Sequence, residues 1–307
     1  MILKVTLAPE VALAAESGGA LVALESTIIT HGLPWPRNLE TARSVEADVR
    51  EAGATPATIA VIEGEVRIGL DEGDLASLAR ADDVAKLSRA DVSAALVSGR
   101  TGSTTVAATM ILARLAGIEV FATGGIGGVH RGAAATMDIS ADLQELAQTP
   151  VIVVSAGAKA ILDLPKTMEV LETLGVPVIG YRTDEIPAFW SRSSGLTAPI
   201  RLDTARQIAE AQNMRLALGL PGGHLVANPI PKEAEIPADV IGPLIDTAWQ
   251  DAEDAGITGK DVTPFLLGRV LDLTTGRSLE ANVALVRSNA RLGAEIALAL
   301  KDLRRER

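Results

Sequence analysis

The feature that most constrains this 307-residue chain is an alternation in which short apolar runs rich in β-branched residues are separated by longer segments of helical period. Ala20–Leu24, Ala57–Ile62, Ile118–Ala122, Pro150–Val154, Val176–Tyr181 and Leu225–Ala227 have the length and content of strands. Pro36–Ala52, Thr104–Ala116, Ala141–Gln148, Ala158–Leu174, Leu202–Leu218 and Asp239–Ala255 read as helices. Gly53, Gly117, Gly175, Gly219 and Gly256 follow five of these helices as C-terminal caps, the place where a residue free to take positive φ is favoured. Strands that alternate with helices pair in parallel, so the expectation is an α/β fold with a mostly parallel sheet covered on both faces. With no internal repeat, low-complexity tract or polar linker, residues 1–307 read as one domain.

Hydrophobic residues make up 48% of the chain and aromatic ones only 2%, which suits aliphatic helix-on-sheet packing. A net charge of −11 argues against a nucleic-acid or membrane-surface binder, since such partners need an extended basic face. The absence of cysteine excludes disulfides, thiolate metal sites and a cysteine nucleophile, and fits a cytoplasmic protein. Pro9, Glu10 and Glu16 interrupt the first apolar stretch, so no signal peptide is expected, and no run reaches the ~20 apolar residues of a membrane span.

In sheets of this type the site lies beyond the carboxyl ends of the strands. Glu25 directly follows one apolar run, with Ser26, Thr27 and His31 close behind. A carboxyl so placed is suited to general acid work if partly desolvated, and equally to capping a loop. Thr123–Gly132 is glycine-rich and ends in His130-Arg131. It could cradle an anion or simply make a tight turn between layers, and it matches neither the Walker nor the G-x-G-x-x-G pattern. Asp138-Ile139-Ser140-Ala141-Asp142 opens a helix; its acids could be caps, or Asp138 could hold a divalent ion while the N–H groups of Ser140, Ala141 and Asp142 receive a phosphate. Lys159, four residues after Ser155, is either a desolvated nucleophile or a snorkelling surface lysine, with Lys166 as its decoy. Lys86 and the hydroxyl-rich Thr101–Thr105 stretch could bind phosphate, or be a solvated face and a helix cap.

Taken together, these segments resemble the pseudouridine-5′-phosphate glycosidase family, also called indigoidine synthase A-like. The resemblance runs from Ala23–Ile29 with His31-Gly32, through Gly53–Ala60, Phe121–Gly132, Asp138–Leu146 and Ser155–Asp163, to Ile200–Asp203, Val226–Pro231 and Thr263–Leu267, covering nearly the whole chain in order. It implies a three-layer α/β/α domain that forms a homotrimer and uses Mn²⁺. It implies Lys159 as catalytic nucleophile, Glu25 as proton donor and Asp138 as the manganese ligand. The phosphosugar contacts it implies are Lys86, Val106 and the Ser140-Ala141-Asp142 helix start, with Asn282 at the uracil edge and Thr105 and His130 nearby. His224, where the family usually has an aliphatic residue, and Trp35 depart from the pattern, and His224 could alter base or metal preference.

A carbon–carbon glycosidic bond offers no leaving oxygen or nitrogen to protonate, which suits an amine nucleophile better than two carboxylates. The implied reaction is reversible cleavage of pseudouridine 5′-phosphate to uracil and ribose 5-phosphate through a Lys159 Schiff base. The rivals are another phosphosugar Schiff-base lyase and a noncatalytic phosphosugar-binding or pigment-synthesis auxiliary protein.

Overall fold

The computed structural model describes residues 3–259 and 262–306. Its strands are β1 Val5–Leu7, β2 Leu21–Leu24, β3 Thr55–Ile62, β4 Glu65–Ile68, β5 Ala85–Leu87, β6 Gly102–Thr104, β7 Val120–Ala122, β8 Ile152–Ser155, β9 Val178–Tyr181, β10 Ile200–Leu202 and β11 Leu225–Ala227. They join in the order β1-β4-β3-β2-β7-β8-β11-β9-β10, and every pair from β3 to β10 is parallel. β3 serves two neighbourhoods. Residues 55–58 pair with β2, while residues 59–62 pair antiparallel with β4 and also meet β6, which carries β5 beside it. That side arm brings Lys86, in register with Ser103, toward the main sheet.

β7 and β8 are buried along their whole length, as strands covered on both faces must be. The 29-residue helix Arg277–Arg305 packs on β2, β7 and β8 and on the helices Arg37–Glu51 and Ala205–Ala217. Val106–Leu115 packs on β2, β3 and β7, with Ala141–Gln148 beside it and Leu164–Thr173 beyond. The result is the expected α/β/α arrangement. Among the described residues no helix is long and apolar enough to cross a membrane.

All five glycines placed at helix ends take positive φ, between 64° and 92°. The differences that bear on the site or the core are these. The helix placed over Ala158–Leu174 begins only at Leu164: Asp163 accepts the Lys166 N–H as its cap, Pro165 falls in the first turn, and residues 158–159 instead run beside Ile126. The helix placed over Leu202–Leu218 is present but begins at Ala205, started by the Thr204/Gln207 capping box, because Ile200–Leu202 forms the edge strand β10. Arg277–Arg305 was not placed from sequence; small and polar residues (Ser278, Ala281, Asn289, Ala290, Gly293, Ala294, Ala297) dilute its apolar stripe of Leu285, Leu292, Ile296 and Leu300.

Candidate active site

The carboxyl ends of β2, β7, β8 and β11 lead directly to Glu25, Thr123, the Ala156–Lys159 turn and Asn228. Glu25, Lys86, Lys159 and Asn282 line one cavity of about 640 Å³, open mouth included, with Phe189 and Leu285 among its apolar walls. A sheet end, the β5 side arm and the long helix therefore each supply a side chain to the same space.

The Glu25 carboxylate is gripped at both oxygens, Oε1 accepting from Thr123 Oγ1 and Oε2 from Thr27 Oγ1. Thr123 is itself fully buried, and its carbonyl accepts from Asn289 Nδ2 at 2.8 Å. Asn289 Oδ1 in turn accepts from Asn228 Nδ2 at 2.9 Å, so the ends of β7 and β11 are tied through the long helix. Lys159 stands in a turn fixed by its own N–H to Ile126 O (3.1 Å) and by Leu162 N–H to its carbonyl (3.0 Å). Lys166, by contrast, is on the helix surface and paired with Asp163 at 2.6 Å. Only Lys159 of the two faces the cavity.

Two histidines flank the lysines. His31 lines the cavity and its Nδ1 lies 2.6 Å from Thr30 Oγ1; burial first, and the Lys86 charge second, lower its pKa. His130 is also lowered, chiefly by burial; Asp138 opposes the shift while Lys159 and Lys86 reinforce it. Both rings are thus driven toward the neutral form, which keeps an accepting nitrogen.

The other expected site residues sit around this cavity rather than in its lining. Thr105 caps Val106–Leu115, accepting the Ala108 N–H, and the Val106 side chain is buried. Ser140 caps Ala141–Gln148, accepting the Asp142 N–H, and its own N–H donates to Gly128 O, so two of the three N–H groups expected to be open are engaged within the chain. Asp142 is buried and its carboxylate bridges the N–H groups of Ala107 (2.9 Å) and Gly127 (2.8 Å), pinning one helix start to the glycine loop. Three of the loop glycines are required by close packing. A Cβ on Gly127 would lie 2.3 Å from Ser140 Oγ, one on Gly125 2.7 Å from the Phe189 ring, and one on Gly128 2.5 Å from Thr167.

Asp138 is half-buried, its Oδ2 3.9 Å from His130 Nδ1, a buried nitrogen with no hydrogen-bond partner. Among the described residues no three His, Asp or Glu side chains gather as a metal cage. A hard divalent ion at Asp138 fits only as one held mainly by its own waters, a mode such ions accept. His224 lies at the amino end of β11, the opposite end of the strand from Asn228, and is not among the residues lining the cavity. Trp35 is exposed under Arg80, whose guanidinium carbon sits 4.6 Å from the ring centre. Sequence reasoning missed Phe189, Trp190 and Asn289, and placed Thr123 only within a candidate anion loop; Phe189, a bulky residue at φ 61°, leaves no local mark in the sequence.

Fold and site together define an α/β enzyme with a lysine and a clamped carboxylate in one cleft beyond a parallel sheet. The chain belongs to the family described as indigoidine synthase A like protein, which matches residues 10–299. A Jannaschia sp. (strain CCS1) relative named pseudouridine-5′-phosphate glycosidase is 65% identical, covering 98% of this chain and 99% of its own. One of the same name from Paracoccus denitrificans (strain Pd 1222) is 64% identical over 96% and 98%. Among solved structures, prealnumycin C-glycosynthase in complex with ribulose 5-phosphate superposes with a TM-score of 0.92 at 37% identity, each chain fully covered. An indigoidine synthase A-like protein from Thermotoga maritima superposes with a TM-score of 0.89 at 36% identity, 97% of each chain covered.

Proposed function

We propose that this chain is a pseudouridine-5′-phosphate glycosidase that cleaves the C1′–C5 bond to give uracil and ribose 5-phosphate. The observation that carries this is the shared cavity of Lys159, Glu25, Lys86 and Asn282, in a chain whose relatives bear that name. Lys159 Nζ bonds to C1′ as the ribose ring opens. A proton placed on C5 draws on the C5=C6 π bond; the nitrogen lone pair then forms the C1′=N iminium while the C1′–C5 bond breaks and its electrons restore C5=C6 in neutral uracil. Water then adds to the iminium and returns Lys159 and ribose 5-phosphate.

Glu25, held by Thr27 and Thr123 so that its oxygens have little freedom to turn, moves the proton. Lys86 supplies positive charge for the 5′-phosphate, and the Ser140–Asp142 helix start and the Thr105–Val106 corner shape that end of the site. Mn²⁺ held by Asp138 would offset phosphate charge. His130 keeps a neutral ring beside it, and Asn282 meets the base. The chain works as one domain, in the cytoplasm, as a homotrimer.

The test is incubation with pseudouridine 5′-phosphate, with and without Mn²⁺, followed by quantification of uracil and ribose 5-phosphate. A protein that binds ribose 5-phosphate but releases no uracil and yields no borohydride adduct is an auxiliary binder instead.

A further inference from the structure

Asn282 lines the cavity, but only one face of its amide is free to address a ligand. Its Oδ1 lies 2.7 Å from Nε1 of Trp190. An indole nitrogen only donates, so the amide atom facing it must be the oxygen, and the amide cannot turn over without placing N–H against N–H. Trp190 is fully buried and has little room to move. Ile236 N–H donates to its carbonyl at 2.9 Å, the preceding Phe189 N–H donates to Ala156 O at 3.0 Å, and the two rings meet edge to face with centres 5.1 Å apart. The amide is therefore set from behind by a side chain that does not itself line the cavity.

We infer that Trp190 is a specificity-determining positioning residue: it fixes the Asn282 amide so that the cavity meets N–H donors, and so selects a base whose facing edge carries a carbonyl oxygen. The inference rests on the proposed function, in which the base lies against Asn282. Uracil offers both carbonyls and ring N–H groups, and the lock decides between them. An amino group in place of the facing carbonyl would set donor against donor. Sites built to hydrogen-bond one group reject its mismatch strongly for this reason.

The experiment compares kcat/KM for pseudouridine 5′-phosphate with its two analogues in which one carbonyl, at C2 or at C4, is replaced by an amino group. The unsubstituted enzyme should disfavour one analogue by about a hundredfold or more. Trp190→Phe should shrink that ratio at least tenfold, because the amide can then turn over. A purely structural role for Trp190 would lower the rates on all three substrates together and leave the ratio in place, which would overturn the inference. Asn282→Asp, whose carboxylate still accepts the indole N–H but offers the base only acceptors, should reverse the preference toward the amino analogue. Should Trp190→Phe not fold, that reversal decides alone, and an unreversed preference rejects the lock. An unsubstituted enzyme that releases no uracil would remove the functional proposal itself, whereas an unmoved ratio removes only the lock.

Discussion

The two ends of β11 bury polar side chains equally well and treat them in opposite ways. At the carboxyl end, Asn228 donates to Asn289 and to Ser288 Oγ (3.1 Å), and the chain of bonds continues through Thr123 to Glu25. At the amino end, His224 is 4% exposed, its Nδ1 has no partner, and burial with Arg215 nearby lowers its pKa to about 4. Backbone seals that end: a Cβ on Gly223 would stand 1.8 Å from Val151 O, and one on Gly222 2.5 Å from Leu146 O. Buried polar groups that satisfy one another can hold a reactive carboxylate in place, whereas an unsatisfied one only costs stability. The proposed chemistry sits at the end where the network is complete.

The sharpest way to break this contrast is to remove the chemistry and leave the network. Lys159→Ala should lose at least a hundredfold in kcat/KM, about 2.7 kcal/mol of transition-state stabilisation, with an unchanged unfolding midpoint. Borohydride treatment with substrate should add a ribose-phosphate mass only to the peptide holding Lys159. Glu25→Gln, similar in shape, should lose about 10²–10⁴ in kcat. A Gln variant with near-normal rate would show that the network ends on a carboxylate with no proton to move.

Removing the network instead, Asn289→Ala would strand the Thr123 carbonyl and the Asn228 amide in a closed interior, at a cost of about 2–3 kcal/mol. Urea denaturation would measure this. A loss below 1 kcal/mol would mean that water replaces the amide, and that the two ends of β11 differ less than their bonding suggests.

How much of this was legible in the sequence depends on range. The parallel α/β layering follows from local patterns of apolar runs and helix-ending glycines, which also place Glu25 and Lys159 just past strand ends as candidates; their roles came from the resemblance. Asn289 and Trp190 leave no such local pattern, since each acts through a partner roughly ninety to 166 residues away and carries no periodic signal. The late start of the helix at Leu164 was written in Asp163 and Pro165, but the apolar content of Ala158–Leu162 outweighed it. In the Thr123–Gly132 loop, the close packing of Gly125, Gly127 and Gly128 was visible only once Phe189, Ser140 and Thr167 were placed against them.

The amino end makes its own prediction. The folded pKa of His224 lies below the ordinary 6.5, so the neutral ring stabilises the fold above that value, and the contribution is lost as pH falls from 6.5 toward about 4. Between pH 7.5 and 5 this single group should remove about 2 kcal/mol. His224→Leu should flatten that slope while leaving base selectivity and the manganese response alone. An equally steep slope in the variant would place the acid sensitivity on His31 or His130, whose pKa values are also lowered, and hence at the other end of the sheet.

The smallest effect belongs to Lys166, seven residues beyond Lys159. Its side chain is 57% exposed and its ammonium meets Asp163 at 2.6 Å in an i,i+3 pair; that hydrogen bond is the main cause of the lowered pKa of Asp163. Exposed pairs of this kind contribute about 0.2–1 kcal/mol once solvent screening is counted. Lys166→Ala keeps the backbone N–H that Asp163 caps at 3.1 Å, so the helix start survives. The expected loss is about 0.5 kcal/mol, shrinking further at high salt, and kcat/KM should stay within about twofold of the unsubstituted enzyme. Because the side chain lies outside the cavity, adduct formation on Lys159 should proceed as before in this variant. An adduct that disappears with Lys166 and persists in Lys159→Ala would move the nucleophile onto the helix surface and undo the separation between an organised site and a solvated face.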